Sequence, residues 1–73
     1  MREKPRGHYI DEAEHLALLV RKYRDRFSPA QLAIASSILF WAGADPDVIR
    51  QTPALCEALE KIHDAAEAME MLA

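Results

Sequence analysis

The side chains best suited to catalysis or metal binding are spread widely along the chain: His8, His15, Cys56 and His63. Cys56 and His63 lie seven residues apart in a predicted helix, so they share a side of it but are about 10 Å apart. That distance is too long for the hydrogen bond that joins a nucleophile to its general base. Because these residues have no recognised ligand spacing, we predict no metal site, no cofactor and no catalytic residue.

Other signatures of an enzyme are also weak. Gly7 and Gly43 stand alone, so the chain has no glycine-rich loop that could hold a phosphate. Asp11 and His15 have an i,i+4 spacing that could share a metal ion, but a hydrogen-bonded surface pair explains this spacing more simply. A chain of 73 residues also offers little room for a substrate cavity. We therefore expect a protein that binds a partner and catalyses no reaction.

The length of the chain limits how it can be stabilised. Its 73 residues form one domain with a small core, and domains of this size commonly need a cross-link, a metal ion or a second copy. Cys56 is the sole cysteine, so no intrachain disulfide can form. We therefore expect self-association as a homodimer, or docking onto another protein.

Charge is distributed unevenly. The formal net charge is −3, but the segment up to Phe27 is net basic and the rest of the chain is net acidic. Four cations cluster near the end of the first predicted helix: Arg21, Lys22, Arg24 and Arg26. With a basic N-terminal arm they could bind nucleic acid or another anionic partner. They equally complement the negative end of the helix dipole.

No segment has the character of a signal peptide or a membrane span. The longest nearly apolar stretch, residues 32–42, is far shorter than the roughly 20 residues that cross a bilayer. The basic start of the chain is not followed by an apolar segment. We expect a cytoplasmic protein without membrane contact, and an unpaired cysteine agrees with that compartment.

The elements that must position these residues are all predicted to be helical, because no run alternates with period two and Ala, Leu and Glu dominate. Residues 1–9 are polar and interrupted by proline and glycine, so we predict a flexible arm there. The single helical domain, residues 10–73, is predicted to contain helices at 11–27, 29–42, 46–51 and 53–71. The predicted fold is all-α, a small three-helix hairpin-like bundle with one extra short helical turn, assembled as a dimer.

Three dipeptides mark predicted helix starts: Ser28-Pro29, Asp45-Pro46 and Thr52-Pro53. In each, a side-chain oxygen can accept a hydrogen bond from an unpaired amide, and proline suits the first helical position. Gln31 completes a capping box with Ser28, and Glu14 has the same spacing from Asp11 at the start of the first helix. Gly43 is expected to end the second helix.

The second predicted helix has more apolar surface than a short chain can easily cover. Its apolar residues form two faces, with Leu32, Ala35 and Leu39 on one and Ile34, Ile38 and Trp41 on the other. The neighbouring helices of the same chain could cover both faces. We favour burial of one face by another chain, because Trp is enriched at interface hot spots. The predicted interface comprises Ile34, Ile38, Phe40, Trp41 and, on the first helix, Leu18.

These features favour a small non-catalytic regulator or inhibitor, of the kind that phages and mobile elements encode, which occludes a surface of a larger protein. One alternative is a nucleic-acid-binding transcriptional regulator that uses the arm and the cations at 21–26. The acidic second half of the chain would then have to face away from the nucleic acid. A helix-turn-helix that uses the segment after Gly43 is disfavoured, because it would present Asp47 and Glu57 to the DNA phosphates. The other alternative is a small assembly subunit of a larger complex.

Overall fold

The computed structural model describes residues 5–73, and this range contains four α-helices, a short 3₁₀ turn and no β-strand. In chain order the elements are α1 (Arg6–Lys22), the 3₁₀ turn (Arg24–Arg26), α2 (Pro29–Ala44), α3 (Pro46–Gln51) and α4 (Pro53–Leu72). The all-α prediction is confirmed for this range. Helices α2, α3 and α4 each begin at a proline, because proline lacks the amide hydrogen that the first helical turn leaves unpaired.

Helix α1 begins at Arg6, five residues before the start predicted at Asp11. Pro5 precedes it with an extended backbone (φ −62°, ψ 154°). The additional turn carries Tyr9, whose side chain is 5% exposed and belongs to the core. Asp11 is exposed in the middle of this longer helix and cannot cap it. The predicted arm is thus helical from Arg6 onward, and its first four residues lie outside the described range.

Helix α1 also ends earlier than predicted, at Lys22 instead of Phe27. The 3₁₀ turn follows it, and Phe27 then adopts an extended conformation (φ −84°, ψ 137°) with its ring buried in the core. Ser28 is extended as well (φ −70°, ψ 161°), because the ring of a following proline disfavours helical backbone. These two extended residues separate α1 from α2.

The start of α2 has the capping box expected from the sequence. Ser28 Oγ accepts a hydrogen bond from the Gln31 amide at 3.1 Å, and Gln31 Oε1 accepts one from the Ser28 amide at 2.8 Å. The corresponding cap at α4 does not form, since the Thr52 side chain makes no cap hydrogen bond. The side-chain cap predicted at Thr52 is therefore absent, although α4 begins at Pro53 as predicted.

The end of α2 is set by Pro46 and not by Gly43. Gly43 keeps a negative φ and remains helical, and α2 continues to Ala44. Asp45 then leaves the helix (φ −160°, ψ 92°), because it precedes a proline. Its Oδ1 accepts a hydrogen bond from the Asp47 amide at 3.2 Å, so the residue that ends α2 also caps α3.

The centre of the core takes one fully buried side chain from each helix: Leu16, Ile38, Ile49 and Leu59. Burial of a side chain of this size stabilises the fold by about 1.5–3 kcal/mol. Ile38 was predicted to face a partner, but it is 0% exposed. It lies three residues after the buried Ala35, on the side of α2 that α1 and α4 cover. The prediction of Ile38 as an interface residue is corrected accordingly.

Helices α1 and α4 lie side by side and run in the same direction. Three side-chain contacts define their register: Tyr9 with Cys56, His15 with His63, and Lys22 with Glu70, at sequence separations of 47, 48 and 48 residues. The nearly constant separation requires a parallel pair. Helix α2 also packs against α1, and residues 10–17 of α1 and 39–43 of α2 line a groove between the two helices.

Candidate binding surfaces and a candidate metal centre

The solvent-facing side of α2 is uncharged and carries two exposed large apolar side chains. None of the 16 residues of α2 is charged. Ala35 and Ile38 are buried on the side of α2 opposite Phe40. Phe40 is 63% exposed, and Ile34, which is 44% exposed, lies one helical turn before Ile38 at the edge of the exposed side. Small exposed residues fill the space along the helix between them. We call this surface the outer face of α2, and it comprises Ala33, Ile34, Ser36, Ser37 and Phe40.

Two open grooves flank α2. The first, of about 370 Å³, lies between α2 and α4, and its lining includes Ile34, Ala58 and Ile62. The second, of about 320 Å³, lies between α1 and α2, and its lining includes Ala17 and Leu39. Both volumes are at the lower end of those of small-molecule sites, and the linings are mainly apolar. Ile34 belongs to the first groove and to the outer face, so the apolar surface is continuous there.

The other predicted interface residues are placed less favourably. Trp41 is partly buried and packs against the core, and its ring meets that of Phe40 edge to face with centroids 5.1 Å apart. Trp41 therefore contributes mainly by packing against Phe40 and the core, and it exposes less surface to a partner than Phe40 does. Leu18 is 63% exposed but lies on the outer side of α1, where its helical neighbours include Glu14 and Arg21. It is a separate apolar residue in a polar surrounding.

The four clustered cations are all exposed: Arg21, Lys22, Arg24 and Arg26. Lys22 Nζ lies 3.4 Å from Glu70 Oε2 and 5.3 Å from the centre of the Tyr23 ring, which the Arg26 guanidinium approaches at 5.7 Å. A side-chain hydrogen bond with Tyr23 and the ion pair with Glu70 raise the pKa of Lys22. The predicted anion-binding patch is thus exposed, but an acidic residue of α4 partly neutralises it.

The seam between α1 and α4 brings together three potential metal ligands that spacing along the chain did not connect. His15 Nδ1 lies 2.7 Å from His63 Nε2, and the ring centroids are 4.9 Å apart. Glu67 Oε1 lies 3.6 Å from His63 Nδ1. One ligand atom from each of the three residues lies within 4.8 Å of the other two. The His63 side chain is 13% exposed and that of Glu67 is 50% exposed, so the cluster opens to solvent at Glu67.

The position of Glu67 favours one protonation pattern in the histidine pair. A hydrogen bond between two neutral imidazoles needs a donor nitrogen on one ring and an acceptor nitrogen on the other. A carboxylate beside His63 Nδ1 favours the proton on that nitrogen, which leaves His63 Nε2 as an acceptor. His15 Nδ1–H then donates to it. His15 thus pairs across the seam, and the Asp11 pairing considered from spacing is not needed to satisfy it.

The proximity of two members of this cluster could be predicted from the sequence. His63 and Glu67 are four residues apart, which places both on one face of a helix. His15 could not be added from spacing, because its proximity depends on the parallel register of α1 and α4. The third histidine, His8, lies two turns before His15 and pairs with Glu12 at 3.0 Å.

The Cys56 side chain contacts residues of two other helices. Its Sγ donates a hydrogen bond to the Ile49 carbonyl oxygen at 2.9 Å and lies 3.8 Å from the Tyr9 hydroxyl. The side chain is only partly accessible. These contacts tie the start of α4 to α3 and to the first turns of α1.

No protein-family model matches the chain, and no curated protein or solved structure shows significant similarity to it. Across residues 5–73, no helix combines the length and the apolar character that a bilayer span requires.

Proposed function

We propose that this protein is a small non-catalytic regulator or inhibitor that occludes an apolar surface of a larger protein with the outer face of α2. One observation carries the proposal, which is the 63% exposure of Phe40 on a helix without a charged residue. Burial of such a side chain contributes about 1.5–3 kcal/mol relative to leaving it in water. A partner that covers Phe40 gains the part of this contribution that belongs to its exposed 63%.

The local structure holds Phe40 ready for binding. Its ring contacts the partly buried ring of Trp41 edge to face, an arrangement that favours a fixed orientation. The helix beneath it is capped by Ser28 at one end and stops at Asp45 at the other. A side chain that is already ordered loses little conformational entropy on association. Aromatic residues are also over-represented among those that dominate binding energy.

The surroundings of the outer face favour an apolar partner surface over a charged one. In the adjoining groove the charged groups, Glu57 and Lys61, form an ion pair with each other at 2.9 Å. Because the two charges neutralise each other, this pair does not attract a charged partner to the groove. A second copy of the chain is an alternative occupant, because a face of this kind can pair with itself about a twofold axis. We place the protein in the cytoplasm, where a free thiol such as Cys56 stays reduced.

Two exposed residues with the same accessibility provide the decisive test. Phe40 and Leu18 are each 63% exposed, but only Phe40 lies on the outer face of α2. The wild type, Phe40→Ser and Leu18→Ser would be immobilised and used to capture proteins from the native host. We expect a partner that the wild type and Leu18→Ser retain and that Phe40→Ser loses. Equal retention by Phe40→Ser and the wild type would contradict the proposal.

Light scattering of the same three proteins separates a foreign partner from a second copy. A homodimer through the outer face would show twice the monomer mass of 8.2 kDa and would dissociate in Phe40→Ser. A monomeric wild type that captures a partner through Phe40 would support heteromeric binding. A dimer unaffected by Phe40→Ser would place self-association on another surface.

The nucleic-acid alternative predicts a different result. Non-specific DNA affinity comes mainly from cations that neutralise phosphates, and this affinity falls steeply with salt. With a net charge of −3 and Lys22 paired to Glu70, we expect no retention on generic duplex DNA at about 0.15 M salt. Retention that disappears in an Arg21→Ala/Arg24→Ala variant would favour the alternative instead.

A further inference from the structure

We propose that His15, His63 and Glu67 bind a divalent transition-metal ion in the seam between α1 and α4, and that Zn²⁺ is the ion this ligand set suits best. Imidazole nitrogens and carboxylate oxygens are common ligands of Zn²⁺. Three protein ligands leave the fourth tetrahedral position for water or for a side chain of a partner. The proposal is independent of the outer face of α2, which lies on another helix.

The ligand atoms are already close to the positions that the ion requires. Zn–N bonds of about 2.0–2.1 Å at a tetrahedral angle place two nitrogens roughly 3.3 Å apart. The facing nitrogens of His15 and His63 are 2.7 Å apart, so the rings need to separate by only about 0.6 Å to reach that geometry. Glu67 must move its carboxylate toward the facing nitrogens, and its half-exposed side chain lies at the solvent-facing edge, where such rotation meets least packing.

The ion takes the place of the proton that the two rings now share. In the tautomer that Glu67 favours, His63 Nε2 is the acceptor, so its lone pair is available to the metal. His15 must give up the proton on Nδ1 and carry it on Nε2, which is the other neutral tautomer of the same ring. Loading of a neutral pair therefore replaces water ligands of the hydrated ion by two imidazole nitrogens and one carboxylate oxygen, and the displaced waters return to solvent without net release of a proton.

Such a site would supply the cross-link that this small chain otherwise lacks. Its single cysteine cannot form an intrachain disulfide, and domains of this size are often held by a metal ion instead. His15 and His63 are 48 residues apart, so one ion would close a loop that contains α2 and α3. To bind the same ion, the unfolded chain would have to give up the conformational freedom of this long loop. The ion therefore binds the folded chain preferentially and stabilises it.

The test is a calorimetric titration of untagged full-length chain with Zn²⁺ alone, with thermal unfolding of the same samples. We expect one ion per chain and a higher unfolding temperature on loading. His8→Gln is the matched control, because it removes the histidine that pairs with Glu12 elsewhere on α1. Cys56→Ser is the second control, because a thiol can bind Zn²⁺ by itself. Both controls should keep the wild-type affinity.

The ligand variants should lose affinity by different amounts. Replacing a group that only orients a ligand typically costs 10–100-fold, so loss of a direct ligand in His15→Gln should exceed roughly 100-fold. Glu67→Gln changes an exposed side chain and is not expected to unfold the protein, so its weaker binding can be measured in a folded chain. Co²⁺ provides an independent reading, because its absorption spectrum distinguishes a tetrahedral protein site from the octahedral hydrated ion.

Four results would overturn the proposal. The first is a folded wild-type chain without saturable Zn²⁺ binding. The second is an equal loss of affinity in His8→Gln and His15→Gln, and the third is a loss in Cys56→Ser. A Co²⁺ spectrum that remains that of the hydrated ion would exclude the site even if the histidine variants were too unstable to compare.

Discussion

His15 Nδ1 and His63 Nε2 are 2.7 Å apart although 48 residues separate them in the chain. Their hydrogen bond lies in a seam between helices whose adjacent residues, Leu16 and Ile62, are buried apolar side chains. The pair is part-buried, so a ring nitrogen left unpaired there would lose much of its hydrogen bonding to water without replacement. The pair therefore favours one alignment of α1 and α4 over neighbouring ones.

Removal of one ring should cost more stability than removal of both. In His15→Leu the facing nitrogen of His63 loses its partner, which should lower the free energy of unfolding by about 1–3 kcal/mol. In the double variant His15→Leu/His63→Leu, no unpaired nitrogen remains, and the loss should be much smaller. Urea unfolding with a chelator present measures both values without any metal effect. If the two single substitutions and the double variant were simply additive, the rings would not be coupled.

The two isoleucines of α2 should differ strongly in their contribution to stability. Ile38 is fully buried and Ile34 is 44% exposed, although they are one helical turn apart. Ile38→Ala leaves a cavity in the core and should destabilise the protein by about 2–5 kcal/mol. Ile34→Ala removes only partly buried surface and should cost clearly less. Similar losses in chemical denaturation would show that α2 is rotated relative to its position here.

The two caps provide a second matched comparison. Ser28→Ala removes the hydroxyl that accepts the Gln31 amide, so it should cost about 0.5–2 kcal/mol. Thr52 precedes α4 in the same pre-proline context but makes no side-chain cap bond. Thr52→Ala should therefore change the unfolding temperature much less than Ser28→Ala. An equal decrease would mean that Thr52 contributes through contacts other than capping.

The ion pair of Glu57 with Lys61 should be visible in a pH titration. The hydrogen bond and charge of Lys61 lower the pKa of Glu57, and Glu57 raises the pKa of Lys61 in turn. The Glu57 contribution to stability is therefore present above the ordinary glutamate pKa of 4.5 and is lost as the pH falls through the lowered value. The Lys61 contribution is present below its ordinary value of 10.5 and is lost as the pH rises through the raised one.

Carboxyl NMR of Glu57 measures this effect directly. In Lys61→Gln the pKa of Glu57 should return toward its ordinary value, because the cation is removed. Because both side chains are at the surface, added salt should have the same effect in the wild type. A Glu57 titration that is unchanged in Lys61→Gln would show that the pair does not persist in solution.

The sequence predicted the parts of the fold that depend on neighbouring residues. The starts of α2, α3 and α4 follow from prolines, whose effect on the preceding residue is local and strong. The start of α1 did not follow, because Tyr9 extends that helix through contacts with the distant core. Gly43 was a misleading signal, since glycine permits a helix to end but does not require it.

The candidate sites also combine features that depend on neighbouring residues with features that depend on distant contacts. The lack of charge on α2 and the exposure of an apolar part of it could be expected from composition and helical period. Periodicity could not show which apolar side faces the core, because that depends on where α1 and α4 lie. The assignment of Ile38 to the surface was wrong for this reason. The histidine pair was inaccessible to sequence reasoning, since a separation of 48 residues has no local signature.

The parallel arrangement of α1 and α4 also bears on how the chain folds. The first and last helices of residues 5–73 contact each other along their length, so neither has its full set of neighbours until nearly the whole chain is in place. Contacts between residues so distant in sequence slow folding, and small single domains usually fold and unfold in one cooperative step. We therefore expect α1 and α4 to unfold together with the rest of the domain and not as separate units.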